Sequence, residues 1–179
     1  MSNIILLEGT DHCGKTEIAT ALAKILSGYQ YFKVKQERIH IEKIAPEILK
    51  QAHLLQLNFF YEFAKQVNFS IVMDRFYPSE FVYGTLFRKI NEEKIWEFDK
   101  LFAELGTKII ILQKQNDKLE DELWTKDQLI AIKAKYREFA AKTRCQVLVL
   151  DTDSEDLEWE LSEISKFLGI PLQDMNNIV

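Results

Sequence analysis

Hydrophobic and polar residues alternate along the chain in a pattern that predicts short buried strands separated by amphipathic helices. Four strand segments are nearly continuous apolar runs, as in parallel strands covered on both faces, and another alternates with polar residues like an edge strand. The predicted strands are 4–7, 31–35 (the edge strand), 70–74, 108–113 and 146–150. The predicted helices are 15–27, 46–67, 92–105, 126–142 and 156–168, the second being one long helix or two joined near His53.

Because strands and helices alternate, the predicted fold class is α/β, with five mostly parallel strands and helices on both faces of the sheet. We expect one domain over residues 1–179, with a polar segment at 114–122 that suits a mobile lid and a tail at 169–179. Ligands of such sheets bind at the carboxyl ends of the strands. Polar residues mark these ends at Glu8, Asp74, Gln113 and Asp151.

The clearest functional signal is the sequence G-x-x-x-x-G-K-T, which lies between the first strand and the first helix. Its two glycines allow a tight turn whose backbone N–H groups, together with the helix dipole, surround a polyphosphate. The lysine is placed to reach the β and γ phosphates, and the threonine hydroxyl to ligate Mg²⁺. The residues of this phosphate loop are Gly9, Thr10, Asp11, His12, Cys13, Gly14, Lys15 and Thr16. The alternative is a glycine-rich turn without a ligand, but the strand-then-helix context favours a P-loop NTPase that binds ATP and Mg²⁺.

A carboxylate and a guanidinium follow the third predicted strand as Asp74 and Arg75. We expect Asp74 to hold the hydration shell of Mg²⁺ or to polarise an attacking oxygen, and Arg75 to bind a phosphate with its planar fork. The negative charge of Asp11 would be electrostatically unfavourable beside phosphates unless the side chain binds the substrate. We therefore expect Asp11 to accept a hydrogen bond from a substrate hydroxyl. The alternatives are a structural ion pair at Asp74-Arg75 and a solvent-facing Asp11. The candidate catalytic residues are Lys15, Asp74, Arg75 and Asp11.

Weaker candidates lie near other strand ends and on the second helix. Lys114 and Lys118, on the predicted lid, are candidates for contact with ATP, and Arg38 follows the edge strand; the alternative for each is ordinary surface charge. Phe60 and Tyr61 are candidates for stacking on a base, because the other aromatic residues of that helix share its apolar stripe. The 3 histidines form no cluster in sequence and predict neither a metal site nor a nucleophile base.

Composition narrows the classes of function. With 23 basic and 28 acidic residues, the chain lacks the general positive charge that sequence-independent nucleic-acid binding uses. A local basic groove is compatible with this composition. Its 2 cysteines, Cys13 and Cys145, have neither metal-ligand nor disulfide spacing, which favours a reducing compartment. No apolar run approaches the roughly 18 residues of a membrane span, and the first strand follows no signal peptide. We therefore expect a cytoplasmic protein.

Two segments resemble the thymidylate kinases, within the nucleoside and nucleoside monophosphate kinases. The first is E-G-T-D-H-C-G-K-T at 8–16. The second is D-R-F-Y-P-S-E-F-V-Y at 74–83, which is similar to that family's D-R-Y-x-x-S-x-x-A-Y. Q-E-R at 36–38 is a weaker likeness of the P-E-R that follows the family's second strand, and 52–62 resembles the helix that carries the nucleobase contacts. The resemblance spans most of the chain.

The resemblance implies roles for individual residues. Asp11 would meet the sugar 3′-hydroxyl, and Arg75 and Arg38 the acceptor phosphate. Ser79 and Tyr83 would contact the nucleoside. Where the family has a stacking phenylalanine and, four residues on, a base-reading arginine, this chain has glutamine at 56 and phenylalanine at 60. The compact, lid-poor form resembles the members of this group found in bacteriophages.

The predicted activity is ATP- and Mg²⁺-dependent phosphoryl transfer to a deoxynucleoside monophosphate, in the manner of a thymidylate kinase. Two other acceptors remain open: the hydroxyl of a deoxynucleoside and the hydroxyl of a modified base in DNA. A third alternative is a nucleotide-binding protein without turnover. The resemblance also implies a homodimer, and the sequence does not define the base of the acceptor.

Overall fold

The computed structural model describes residues 3–33, 46–88, 90–115 and 124–170. Within these ranges the chain forms one sheet, whose strands are β1 Ile4–Gly9, β2 Tyr29–Lys33, β3 Ser70–Asp74, β4 Lys108–Gln113 and β5 Gln146–Asp151. The strand order is β2-β3-β1-β4-β5, and all neighbouring strands run parallel. This confirms the predicted α/β class with its five-stranded parallel sheet, and it places β2 at an edge as predicted.

In the part of the chain that the structure describes, six α-helices connect or follow the strands: α1 Lys15–Ile25, α2 Pro46–Gln66, α3 Tyr77–Tyr83, α4 Glu92–Glu104, α5 Lys126–Lys142 and α6 Leu157–Leu168. A π-helical turn, Gly84–Arg88, continues α3. The predicted segment 46–67 is one helix, not two. β2 begins at Tyr29, two residues earlier than predicted, because Tyr29 pairs with Ser70 at the start of β3. The pattern did not predict α3, since its 7 residues are too few for a helical period to show.

Alternate residues of β1 contribute to two separate cores, one on each face of the sheet. Ile5 and Leu7 pack with residues of α1 and α6, whereas Ile4 and Leu6 pack with residues of α2, α3, α4 and α5. All four side chains are almost fully buried, as expected for a central parallel strand. The predicted helices on both faces are therefore present, and β1 is fixed from both sides.

The carboxyl ends of the central strands bring chemically active residues together. Register pairs Leu7 of β1 and Lys33 of β2 with Asp74 of β3, so Asp74 lies between the phosphate loop and the end of β2. The backbone N–H of Arg75 donates to the carbonyl of Leu7 (2.9 Å), which holds the residue after β3 beside the loop after β1.

Several predicted segments fall partly outside the described residues. Of the predicted lid at 114–122, the structure describes Lys114 and Gln115; of the tail at 169–179, it describes Gly169 and Ile170. Residues 34 and 35 of the predicted edge strand also lie outside. Among the helices that are described, none combines the length and apolar character needed to cross a bilayer.

Candidate functional site

The phosphate loop is shaped by residues with left-handed backbone. Gly9 has φ 132°, and a Cβ at this position would lie 1.9 Å from the carbonyl oxygen of Leu112 in β4. Only glycine allows that approach. His12 (φ 60°) and Gly14 (φ 76°) complete the turn, and α1 begins directly afterwards at Lys15. The loop therefore directs the amino end of α1 toward the carboxyl edge of the sheet, which is the arrangement that binds anions.

The loop is also held from within. The Thr10 hydroxyl lies 2.8 Å from Sγ of Cys13, which is 1% exposed. The Thr152 hydroxyl, just after β5, donates to the carbonyl of Cys13 (3.5 Å). The Cys13 side chain thus faces the protein interior. The predicted contact of the loop backbone with phosphate stays a prediction.

Lys15 is folded over the loop and is 7% exposed. Its ammonium group donates a hydrogen bond to the carbonyl of Thr10. Burial, together with the nearby positive charge of Arg75, lowers the pKa of Lys15 to about 8. An anion beside this lysine would reverse that effect by favouring its charged form.

Thr16, Lys33 and Asp74 form a compact cluster at the amino end of α1. The Thr16 hydroxyl donates to Oδ2 of Asp74 (2.7 Å), and the Lys33 ammonium lies 2.9 Å from the same oxygen and 2.6 Å from Oγ1 of Thr16. The Tyr31 hydroxyl also donates to this oxygen (3.3 Å). Although burial raises it, the hydrogen bonds from Thr16 and Lys33 hold the pKa of Asp74 below its ordinary value, so it is ionised at neutral pH.

This cluster fits a hard divalent cation. A hydroxyl and an ionised carboxylate within 2.7 Å of each other supply the oxygen donors that Mg²⁺ prefers. A positive charge is already tolerated there, because the Lys33 ammonium contacts both groups. Thr16 and Asp74 are the two residues predicted to hold Mg²⁺; sequence analysis missed Lys33 and Tyr31, for which the position of the edge strand beside β3 is the relevant signal.

Arg75 is the centre of a second cluster and has a positive φ of 66°. One terminal nitrogen donates to Oδ1 of Asp11 (2.5 Å), and the other lies within hydrogen-bond distance of the Ser79 and Tyr83 hydroxyls (3.3 and 3.2 Å). The guanidinium also lies over the Tyr83 ring, 5.3 Å from its centroid. The structure therefore brings together Asp11, Arg75, Ser79 and Tyr83, to which the resemblance assigns contacts with the acceptor; those contacts stay a prediction.

The charge of Asp11 is maintained by its neighbours. Partial burial raises its pKa, but the cations of Arg75 and Lys15 outweigh burial and lower the pKa below its ordinary value. Because Arg75 and Lys15 both act on Asp11, the phosphate loop and the Arg75 cluster share this carboxylate.

Glu8 is fully buried next to the Arg75 cluster and forms hydrogen bonds with its residues. One of its oxygens accepts from the backbone N–H of Phe76 (2.7 Å), and the other from the hydroxyls of Ser79 (2.5 Å) and Tyr136 (3.2 Å). Burial raises the pKa of Glu8 to about 7, although these hydrogen bonds and Arg75 oppose the rise. The sequence showed only that Glu8 ends a strand; its partners are distant in the chain.

Trp124 closes one side of the Arg75 cluster. Its indole N–H donates to Oδ2 of Asp11 (3.3 Å). The indole stacks on Phe87, with ring centroids 4.8 Å apart and an angle of 22°, and it lies 5.7 Å from the Tyr83 ring. We call Tyr83, Phe87 and Trp124 the aromatic wall. Sequence analysis missed it, because Trp124 is 113 positions away from Asp11.

Other predicted residues are not joined to these clusters by the described contacts. Lys114 forms an ion pair with Glu155, after β5. Phe60 packs edge-on against Phe32 and Phe76, and Tyr61 packs edge-on against Phe102, so both rings belong to the core beneath α2, and their role in base stacking stays a prediction. Arg38 and Lys118 lie outside the described residues.

Comparison with known proteins supports the fold. No family model matches the chain, and no curated protein sequence matches it. The Bacillus subtilis YorR protein, solved in complex with phosphorylated GDP, is similar over 93% of this chain and 95% of its own, with a TM-score of 0.68 and 21% identity. A thymidylate kinase from Candida albicans is similar over 93% of both chains (TM-score 0.55, 18% identity). A deoxyadenosine kinase from M. mycoides with bound dCTP is similar over 91% of this chain and 99% of its own (TM-score 0.52, 16% identity). The fold is thus that of the P-loop nucleotide kinases.

Proposed function

We propose that the protein transfers the γ-phosphoryl group of ATP to the phosphate of a deoxynucleoside monophosphate. The observation that carries this proposal is that Lys15 of the phosphate loop and the Arg75 guanidinium both act on one carboxylate, Asp11, with which Arg75 is hydrogen-bonded. A donor phosphate beside Lys15 and an acceptor phosphate beside Arg75 would therefore be near each other.

On the donor side, the loop backbone and the amino end of α1 bind the polyphosphate, and Lys15 moves from the Thr10 carbonyl to the β and γ phosphates. Thr16 and Asp74 would hold Mg²⁺, which would supply positive charge next to the phosphate oxygens during transfer. Because these groups act by positioning and charge, no covalent intermediate with the protein is needed.

On the acceptor side, Arg75 binds the acceptor phosphate. Among the described contacts, its NH1 nitrogen donates to hydroxyl groups, those of Ser79, Tyr83 and Tyr136, and a phosphate oxygen is a stronger acceptor than these. Asp11 binds the sugar hydroxyl, and the aromatic wall provides planar surfaces for the base. The similarity to a thymidylate kinase, and to YorR in its complex with phosphorylated GDP, supports a small nucleotide as substrate.

A second candidate is transfer to the 5′-hydroxyl of a deoxynucleoside. The observation that favours it is the ion pair of Arg75 with Asp11, because a guanidinium that is already neutralised suits an uncharged acceptor. The ionised Asp11 would then accept the hydroxyl proton. The structurally similar M. mycoides protein is a deoxyadenosine kinase, which supports the same acceptor class.

Transfer of label from ATP tests both candidates. The protein is incubated with γ-labelled ATP, Mg²⁺ and separate panels of deoxynucleoside monophosphates, deoxynucleosides and DNA with modified bases, and the products are separated by chromatography. We expect label in a diphosphate, and none with Lys15→Ala. Lys94→Ala, which removes an exposed lysine of α4, is the matched control. Label in a monophosphate would support the second candidate, and no label in any panel would contradict a kinase.

We also propose that the protein is a cytoplasmic homodimer. Leu55 and Phe59 of α2 are 70% and 63% exposed and lie one helical turn apart. Apolar residues on one exposed face are typical of a contact between subunits. Sedimentation of the wild-type protein and of the Leu55→Ser, Phe59→Ser double variant tests this. We expect a dimer that the variant converts to a monomer, and a monomeric wild-type protein at micromolar concentration would contradict it.

A further inference from the structure

The Lys33 side chain occupies an unexpected position at the carboxyl end of β2. Its ammonium contacts Oγ1 of Thr16 at 2.6 Å and Oδ2 of Asp74 at 2.9 Å, and these two oxygens are themselves 2.7 Å apart. The three atoms therefore form a closed triangle. Two of them belong to the residues assigned to the metal ion, so the lysine contacts both oxygen donors of that site.

The charge of Asp74 explains the position of the Lys33 ammonium. Asp74 is 1% exposed, and a buried carboxylate is costly unless a cation or hydrogen-bond donors compensate it. Lys33 supplies the charge, and Thr16 and Tyr31 supply hydroxyl donors to the same oxygen. Lys15, the other lysine of the site, is hydrogen-bonded instead to the Thr10 carbonyl.

Lys33 is also able to leave. Its side chain is 38% exposed, and a lysine stem has four rotatable bonds, whereas Lys15 is 7% exposed. A divalent ion in contact with Thr16 and Asp74 would lie too close to the ammonium for both to stay, since like charges at this separation repel strongly. Entry of the metal ion therefore requires movement of Lys33 toward solvent.

We propose that Lys33 is a cation that substitutes for Mg²⁺ at the Thr16–Asp74 site when a nucleotide is bound without metal. This inference rests on the proposed nucleotide-binding function. The lysine neutralises Asp74 in the free protein, and it places one positive charge beside the polyphosphate when the nucleotide arrives alone. When Mg²⁺ accompanies the nucleotide, the ion takes that position and Lys33 moves out. Removing Mg²⁺ therefore weakens nucleotide binding less than it would without Lys33.

Calorimetric titration with ATP, in Mg²⁺ and in EDTA at equal ionic strength, measures this effect without turnover. For the wild-type protein, we expect the Kd for ATP to rise less than about tenfold when Mg²⁺ is removed. For Lys33→Ala, we expect a rise larger by a further factor of about ten, the scale of one charge-assisted hydrogen bond. In Mg²⁺, the two proteins should bind ATP with similar affinity, because Lys33 is then displaced.

Lys94→Ala serves as the matched control. Its ratio of the Kd for ATP in EDTA to the Kd in Mg²⁺ should equal that of the wild type, since Lys94 pairs only with Glu97 on the exposed side of α4 in the contacts described. Lys33→Gln, which keeps a hydrogen-bond donor but removes the charge, should behave like Lys33→Ala. Circular dichroism confirms that each variant is folded. If both variants at position 33 fail to fold, the wild-type ratio decides alone, and a rise of a hundredfold or more overturns the proposal.

Two other outcomes would overturn it. Equal ratios for wild type and Lys33→Ala would show that Lys33 does not act in place of the metal. An equal loss of affinity with and without Mg²⁺ would show a phosphate contact that is independent of the metal site. Failure of the wild-type protein to bind ATP in Mg²⁺ would instead contradict the proposed function itself, so the two failures are distinguishable.

Discussion

Glu8 is predicted to make the stability of the protein fall as pH rises. Burial raises the pKa of its carboxyl group to about 7 in the folded protein, against 4.5 in an exposed chain. Between these values the folded protein holds a proton that the unfolded chain has released. The free energy of unfolding therefore decreases with pH over this window, which is the opposite of the usual effect of an ion-paired carboxylate.

The magnitude follows from the two pKa values. Each pH unit over which only the folded protein holds the proton changes the free energy of unfolding by about 1.4 kcal/mol. From 4.5 to about 7, the loss is about 3 kcal/mol, and it stays constant at higher pH. Glu8→Gln removes the titration and keeps an oxygen acceptor for the Phe76 N–H. At pH 5 the two proteins should be about equally stable, and at pH 8 the variant should be more stable.

Urea unfolding followed by circular dichroism, between pH 5 and pH 8, measures this difference. Because other groups titrate equally in both proteins, the stability of the variant minus that of the wild type isolates Glu8. Glu97→Gln, the same change at an exposed position of α4, should show no such pH dependence. A difference between Glu8→Gln and wild type that stays flat across this range, or that favours the wild type more as pH rises, would refute the reasoning.

Three further predictions concern the phosphate loop and Arg75. Lys15→Ala should lower kcat by about a hundredfold or more while circular dichroism shows an intact fold, and activity within threefold of wild type would exclude the assigned role. Arg75→Lys should raise the acceptor KM and lower kcat with little change in the KM for ATP, whereas a defect in kcat alone would favour the hydroxyl acceptor. Gly9→Ala should destabilise the protein by about 3 kcal/mol or more in urea unfolding, because its Cβ would lie 1.9 Å from the Leu112 carbonyl oxygen. Gly28→Ala, with open space around it, is the control. An equal loss of stability in both variants would contradict the close contact at Gly9.

The strands and the phosphate loop could be predicted because their signals are local. Apolar runs at β1, β3 and β4 are set by burial on both faces, and the loop motif is continuous in sequence. The placement of Asp11, Asp74 and Arg75 at one edge of the sheet was also predictable, since parallel strands end at the same edge, but the ion pair of Arg75 with Asp11 was not. These features need no knowledge of which strands are neighbours.

Lys33, Glu8 and Trp124 could not be predicted as parts of the site for the opposite reason. A lysine at the end of an edge strand resembles surface charge until the register places it opposite Asp74. Glu8 and Trp124 depend on partners in α3, α5 and the phosphate loop, and no periodic pattern connects these positions. Their importance follows from tertiary contacts alone.

The aromatic wall gives this protein a built-in optical signal. Of its 3 tryptophans, Trp96 stacks on Phe139 in the core, Trp159 is exposed on α6, and Trp124 is hydrogen-bonded to Asp11. With Trp96 and Trp159 replaced by phenylalanine, the emission of a single indole would report on the surroundings of Asp11. Rapid mixing would then time the arrival of each substrate separately, before any phosphoryl transfer occurs.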